Sequence, residues 1–313
     1  MLDSDEFTKF AVDVASVVDD WFAAHRPILQ AINEQARPQE LIARIGDDLL
    51  ARFKHTPLLD SYEVYEQLMT YWHAVMHDDV FLLMNDGWVD AAQPRRPIED
   101  KDRKLAETPD LVVGSGRGAA KYKTDLIPPT LIVARYFAEE QVKLDGLVAA
   151  AEDAARAVEE YVEEHAVEDG LLAEAMEDDK ISKLIAASRL RVAKREGSYP
   201  EEVEALEHLI TLYNAEADAK KSAKDAQAAL NVSTLEKYGD LTVPDVKTLV
   251  LDDKWKATIT GRIASEVNSL TLALVARIEQ LGERYAETVG ALDAELEKLE
   301  VQVAGHLADM GIK

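Results

Sequence analysis

Apolar residues recur at helical spacing along most of the chain. Between residues 3 and 30 they fall on one face, which predicts an amphipathic helix that Pro27 can kink or end. A second periodic stretch, 39–53, follows Pro38, a residue favoured in the first turn of a helix. The densest aromatic segment, 62–88, also opens with helical spacing, so the N-terminal part predicts three helices.

Short apolar runs break this periodicity in two places. Residues 80–84 precede Asn85-Asp86-Gly87, and this order predicts a short buried strand that ends in a turn. Residues 249–251 form a similar run, which we interpret as a second strand. Ser61 is the expected N-cap of the third helix, and Asp252 or Asp253 is the expected cap of the last one.

Residues 89–124 are rich in proline and glycine, which is typical of a long loop. Helical spacing resumes from about residue 130 to 162 and again from 200 to 230. Acidic residues dominate 152–179, and basic residues alone supply the charge of 180–195. We interpret 138–237 as a helical hairpin arm whose acidic and basic segments face each other.

The last helix has an unusually regular apolar stripe. Ile263, Leu274, Tyr285 and Leu296 follow one another at intervals of eleven residues, a repeat typical of a straight or slightly right-handed rod. Residues 262–307 span roughly 70 Å as a helix. The near part of the stripe is expected to pack on the chain itself, and the far part on another chain. The predicted partner-helix stripe is Leu292, Leu299 and Val303.

The sequence therefore predicts a mainly α protein of amphipathic helices, with a small α/β element and long antiparallel, coiled-coil-like helices. Four segments are expected along the chain: N-terminal helices (1–60), a small α/β element with a basic loop (61–137), the hairpin arm (138–237), and a hinge with the long C-terminal helix (238–313).

The composition of the chain limits the partners and the cellular compartment that we expect for the protein. The formal net charge of −25 disfavours nucleic acid or anionic membrane as a partner wherever positive charge is not concentrated. The chain has no cysteine, which excludes disulfides and thiolate chemistry. No apolar run approaches the roughly 20 residues that span a bilayer, and the N-terminus does not resemble a signal peptide. We expect a cytoplasmic protein without a membrane partner.

Three patterns are candidates for reactive sites. The segment 110–118, an apolar strand followed by Gly-x-Gly, is similar to the opening of a nucleotide-binding loop, but little room for a helix follows it. His73 and His77 have the spacing of two metal ligands, without the glutamate of the common zinc motif. The paired aspartates, such as Asp78-Asp79, fit capping or solvation. We therefore assign no catalytic, cofactor-binding or metal residue.

The predicted loop contains a segment of net positive charge within a strongly acidic chain. Residues 95–123 hold eight basic and five acidic residues, and mobile cations of this kind contact phosphate or acidic partners. The candidate DNA or partner contacts are Arg95, Arg96, Lys101, Arg103, Lys104, Arg117, Lys121 and Lys123.

Several segments, in order, resemble the C-terminal part of the modification subunit of type I restriction–modification systems. They are Trp21-Phe-Ala-Ala-His25, residues 62–72, Met76-His-Asp-Asp-Val-Phe81, Asp86-Gly-Trp88, residues 123–137 and residues 247–255. That family methylates adenine N6 in DNA with S-adenosylmethionine, and its catalytic domain has an Asn-Pro-Pro-aromatic motif. This chain has no Asn-Pro dipeptide, so no catalytic residue is carried over.

The resemblance implies an assembly role. The chain is expected to dock on the DNA-specificity subunit, with the restriction subunit as a further partner and DNA reached indirectly or through 89–124. Methylation and S-adenosylmethionine are expected only of the full subunit. The alternatives are a free-standing coiled-coil scaffold and a small transferase that uses residues 114–118.

Overall fold

Helices make up most of the structure, a computed structural model that describes residues 5–99, 106–167, 170–176, 180–197 and 199–311, without the side chains of Arg117 and 286–289. The helices are α1 (Asp5–Gln30), α2 (Pro38–Phe53), α3 (Ser61–Tyr71), α4 (His77–Asp90), α5 (Pro129–Tyr136), α6 (Ala138–His165), α7 (Lys183–Glu196), α8 (Pro200–Gly239), α9 (Val243–Thr248) and α10 (Ala257–Asp309). Strands β1 (Leu111–Val113) and β2 (Ala120–Tyr122) form an antiparallel pair. The predicted fold class, mainly α with a small sheet and long helices, is confirmed.

The chain folds into two compact units. The first combines the described residues up to Gly87 with those from Val250 onward, and the second comprises the described residues from Trp88 to Leu249. Both ends of the chain therefore build one unit.

The core of the first unit lies between α1, α2, α3 and the beginning of α10. Trp21, Leu49, Leu68 and Ile259 are almost completely buried there. The Trp21 indole N–H donates to the carbonyl of Ile45 at 2.9 Å, so its polar atom is satisfied inside the core. Helix α1 continues through Pro27 to Gln30.

The predicted strand at 80–84 is wrong, because this run belongs to α4. A π-helical turn, Trp72–Met76, joins α3 to α4 and shifts the helical phase, which the alternation of apolar residues alone does not reveal. Gly87 has φ +74°, so the predicted turn is a local break in the helix. The cap of α3 is Asp60, whose side chain accepts from the backbone N–H of Tyr62, rather than Ser61.

The predicted strand at 249–251 is also wrong. Leu249–Lys256 is a second π-helical turn that leads directly into α10. Asp252 therefore does not cap the helix; it accepts from the Arg26 guanidinium, with 2.8 Å between Nη2 and Oδ2. Helix α9 begins with a reciprocal capping box that Thr242 and Asp245 form.

The second unit contains the β-hairpin and the arm. Helices α5 and α6 are separate, because the predicted continuous helix from about residue 130 breaks at Phe137. Helix α8 packs along α6 and α7. Within this arm, Leu172, Leu206 and Leu209 belong to a separate hydrophobic core. One ion pair joins the acidic and basic segments, between Glu174 and Arg189, whereas Arg189 and Lys194 also pair with Glu202 and Glu207 of α8.

Candidate functional site

Arg95, a predicted DNA or partner contact, is held by two carboxylates of the second unit. Its terminal nitrogens donate to both carboxylate oxygens of Glu107 at 2.8 and 2.9 Å, and its Nε donates to Asp125 at 2.5 Å. These hydrogen bonds raise the pKa of Arg95, and they lower the pKa of Glu107 to about 2. Arg95 therefore forms structural ion pairs that stabilise the base of the hairpin.

Lys123 has the same role beside it. Its ammonium donates to Asp110 at 2.8 Å, and the other oxygen of that carboxylate accepts from the backbone N–H of Thr124 at 2.8 Å. The backbones of Arg95 and Lys123 also exchange two hydrogen bonds, at 2.9 and 2.7 Å. The structure thus uses two of the eight predicted contact cations to close the base of the β-hairpin.

The other predicted cations divide into two groups. Arg96 and Lys121 are exposed. The remaining four lie outside the described residues or side chains: Lys101, Arg103, Lys104 and Arg117. Arg96 and Lys121 are therefore the cations of this set that the structure places at the surface.

Glu107 should titrate far below an ordinary glutamate because Arg95 stabilises its charged form. A depressed pKa means that Glu107 stabilises the fold above the unfolded pKa of about 4.3, and that this contribution is lost as the pH falls toward about 2. We expect the melting temperature of the second unit to fall less steeply on acidification in Glu107→Gln than in the unaltered protein. Parallel curves from thermal melts at a series of pH values would contradict the assignment.

The predicted partner stripe lies on the bare part of α10. Leu292, Leu299 and Val303 are 60%, 51% and 56% exposed. Other large apolar side chains of the same helix are exposed as well: Ile278, Tyr285, Leu296, Val301 and Leu307. We call these eight exposed, large apolar residues, from Ile278 to Leu307, the α10 stripe.

The beginning of α10 has a different environment. Ile263 and Val267 are buried and line, with Val14 and Val18 of α1, a small cavity of about 50 Å³. Val275 is the last buried residue of α10 whose side chain the structure describes. The stripe thus has one part that packs within the first unit and a longer part that does not.

A buried polar cluster links α4 to the turn before α10. Asp79 is 3% exposed and accepts from the Lys254 ammonium at 2.7 Å and from the Trp255 indole N–H at 2.8 Å. Burial raises the pKa of Asp79, whereas Lys254 and Trp255 act in the opposite direction. We call these three residues the Asp79 cluster.

Tyr71 extends the Asp79 cluster. Its hydroxyl donates to the carbonyl of Lys254 at 3.4 Å, and the Arg262 guanidinium lies 5.4 Å from its ring centroid. Burial raises the pKa of Tyr71 to about 12. The π-helical turns at 72–76 and 249–256 contribute to this region, and such turns are frequent at functional sites. The buried and paired charges nevertheless fit a positioning role better than chemistry on a substrate.

The sequence predicts capping or solvation for Asp78-Asp79 and does not reveal this cluster. The structure exposes Asp78 and buries Asp79. A signal was present, because Trp72, Met76 and Leu83 occupy the same buried face as Asp79. A charged residue on such a face requires a partner, which the linear sequence does not identify.

The glycine loop and the histidine pair have surroundings that differ from those of a nucleotide-binding loop and of a metal site. Residues 114–119 join two strands, so β1 does not lead into a helix N-terminus as phosphate binding of that type requires. His73 is exposed, and His77 lies against the Phe81 ring with a centroid distance of 4.7 Å. Within the described residues, no group of three or more metal-ligating side chains comes together.

Comparison of the chain with models of known protein families, with curated proteins and with solved structures gave no match. Among the described residues, no helix is both long enough and apolar enough to cross a membrane.

Proposed function

We propose that this chain is a helical assembly module that docks on a partner subunit through the α10 stripe. The observation that carries the proposal is the exposure of large apolar side chains along one helix, from Ile278 to Leu307. A long row of apolar side chains on a solvent-exposed helix is typical of surfaces that pack against other helices.

Charge favours one kind of partner. Between residues 276 and 309, eight acidic residues outnumber three basic ones. A second copy of this helix would bring acidic flanks against acidic flanks, which opposes self-association. The fitting occupant is an amphipathic helix, or a pair of helices, whose apolar seam is flanked by lysine and arginine.

The particular setting that we propose is a type I restriction–modification system. In it, this chain is the C-terminal assembly region of the adenine-methylating modification subunit, and the coiled-coil spacer of the specificity subunit is the partner. Support comes from the order of the resembling segments. Two of them, 76–81 and 247–255, supply Asp79, Lys254 and Trp255, which meet in the Asp79 cluster.

The test is co-purification with the type I specificity subunit encoded in the same genome. We expect a stable complex with the full chain, and loss of that complex for a variant that ends at Gly282. The described side chains beyond this point are exposed, so the shortened variant should keep the melting temperature of the full chain. Equal recovery of both variants would contradict docking through the α10 stripe.

Light scattering of the chain alone tests the alternative hypothesis that the protein is a free-standing coiled-coil scaffold. We expect a monomer, because the acidic flanks oppose self-pairing. A stable dimer that disappears in the variant ending at Gly282 would overturn the proposed partner chemistry and favour a free-standing coiled-coil scaffold.

A further inference from the structure

A groove in the second unit lies between the segment 96–99 and the second half of the β-hairpin. Its volume is about 340 Å³, and its lining residues are Arg96, Pro97, Glu99, Gly118, Ala119, Ala120, Lys121 and Tyr122. Arg96 and Lys121 contribute one exposed cation from each side of the groove. We call this feature the hairpin groove.

The base of the hairpin leaves these two cations available. Glu107 and Asp110, two acidic residues at the base of the hairpin, pair with Arg95 and Lys123 at 2.8 Å each. Glu99 is the acidic residue that lines the groove. Residues 95–123 have a net charge of +3 in a chain of −25, so the groove lies in a segment whose charge is opposite in sign to that of the whole chain.

We propose that the hairpin groove binds the phosphodiester backbone of nucleic acid, with Arg96 and Lys121 as the phosphate contacts. Exposed, long cationic side chains on two sides of a shallow groove suit a strand of regularly spaced phosphates. Gly118, Ala119 and Ala120 line one side of the groove with small side chains, which leaves the protein main chain accessible to a sugar–phosphate backbone. The contact carries no sequence specificity, because no base edge is read.

An acidic protein partner fits the groove less well. Protein interfaces have an apolar centre of large side chains with charges at the rim. The residues that line the groove include no large aliphatic side chain, and Tyr122 is half-buried. Phosphate recognition needs no such centre.

The test measures binding of the full chain to a fluorescent duplex of random sequence by anisotropy at several salt concentrations. We expect Arg96→Gln/Lys121→Gln to weaken binding on the order of tenfold at low salt. The slope of log affinity against log salt should become shallower by about 2, the value for two lost phosphate contacts. The matched control is Arg191→Gln/Arg195→Gln, which removes two exposed cations of α7 and changes the net charge equally.

Three results would overturn the proposal: no binding of duplex to the unaltered chain at low salt, an equal loss in the α7 control, or a salt slope unchanged in the groove variant. Binding of poly-glutamate in place of duplex, lost in the groove variant, would assign the groove to an acidic protein instead. The proposal is independent of the α10 stripe. The variant that ends at Gly282 should bind duplex like the full chain, so failure of either proposal is recognised separately.

Discussion

Replacing Lys254 with methionine should lower the free energy of unfolding of the first unit by about 3–5 kcal/mol, the cost of breaking a buried ion pair by removing one partner. Lys254 and Asp79 are 8% and 3% exposed, and their charged groups are 2.7 Å apart. Methionine fills the same space but leaves the Asp79 carboxylate without its cation. The measurement is urea unfolding followed by tryptophan fluorescence, which reports mainly on this unit because Trp21, Trp72 and Trp255 lie in it.

Lys256 provides the matched control. It pairs with Asp19 at 2.8 Å, but both side chains reach solvent, so Lys256→Met should cost less than about 1 kcal/mol. Adding Asp79→Asn to Lys254→Met should restore part of the loss, because asparagine carries no charge and still accepts from Trp255. If Lys254→Met costs no more than Lys256→Met, the ion pair does not stabilise the first unit as we argue.

Glutamate substitutions along α10 should separate stability from partner binding. Leu292→Glu, Leu299→Glu and Val303→Glu should change the free energy of unfolding by no more than about 0.5 kcal/mol, because these positions are exposed. Each should weaken the proposed complex with a specificity subunit by about tenfold or more, since an apolar anchor of the proposed interface is lost. Thermal melting and co-purification measure the two effects.

The same substitution nearer the start of α10 should act in the opposite way. Ile263 is 1% exposed, so Ile263→Glu should cost several kcal/mol through an unpaired buried charge. Leu274 and Leu281 are half-buried, so we expect losses between these extremes. If all these variants behaved alike, the division of α10 into a packed beginning and a docking stripe would be wrong.

The long helices could be predicted from sequence because their apolar stripes are regular over many turns. Helices α1, α2 and α10 begin and end close to the predicted positions. The errors fall on the short apolar runs 80–84 and 249–251, where a buried helix and a buried strand have the same pattern. One π-helical turn precedes the first run and the other contains the second run, and a periodicity of 3.6 residues does not anticipate the wider π-helical turn.

The candidate sites were predictable only in part. Exposure of Leu292 and Leu299 follows from the length of the rod, which exceeds what one compact unit covers. The separation of Arg95 and Lys123 from Arg96 and Lys121 depends on the position of Glu107 and Asp110 in the folded hairpin. Neighbouring cations of the same type look identical in sequence, and only tertiary partners distinguish them.

The discontinuous first unit has a consequence for the order of events on the ribosome. Asp79 and Lys254 are separated by 175 residues, so α1–α4 leave the ribosome long before α10 can cover them. At about 5–20 residues per second, the intervening segment takes roughly 9–35 s to synthesise. During that interval the apolar faces around Trp21 and Leu68 are not yet packed against α10. Chaperones that bind exposed apolar helices would have the most time to bind these faces. The second unit, whose residues are contiguous, completes its own contacts first.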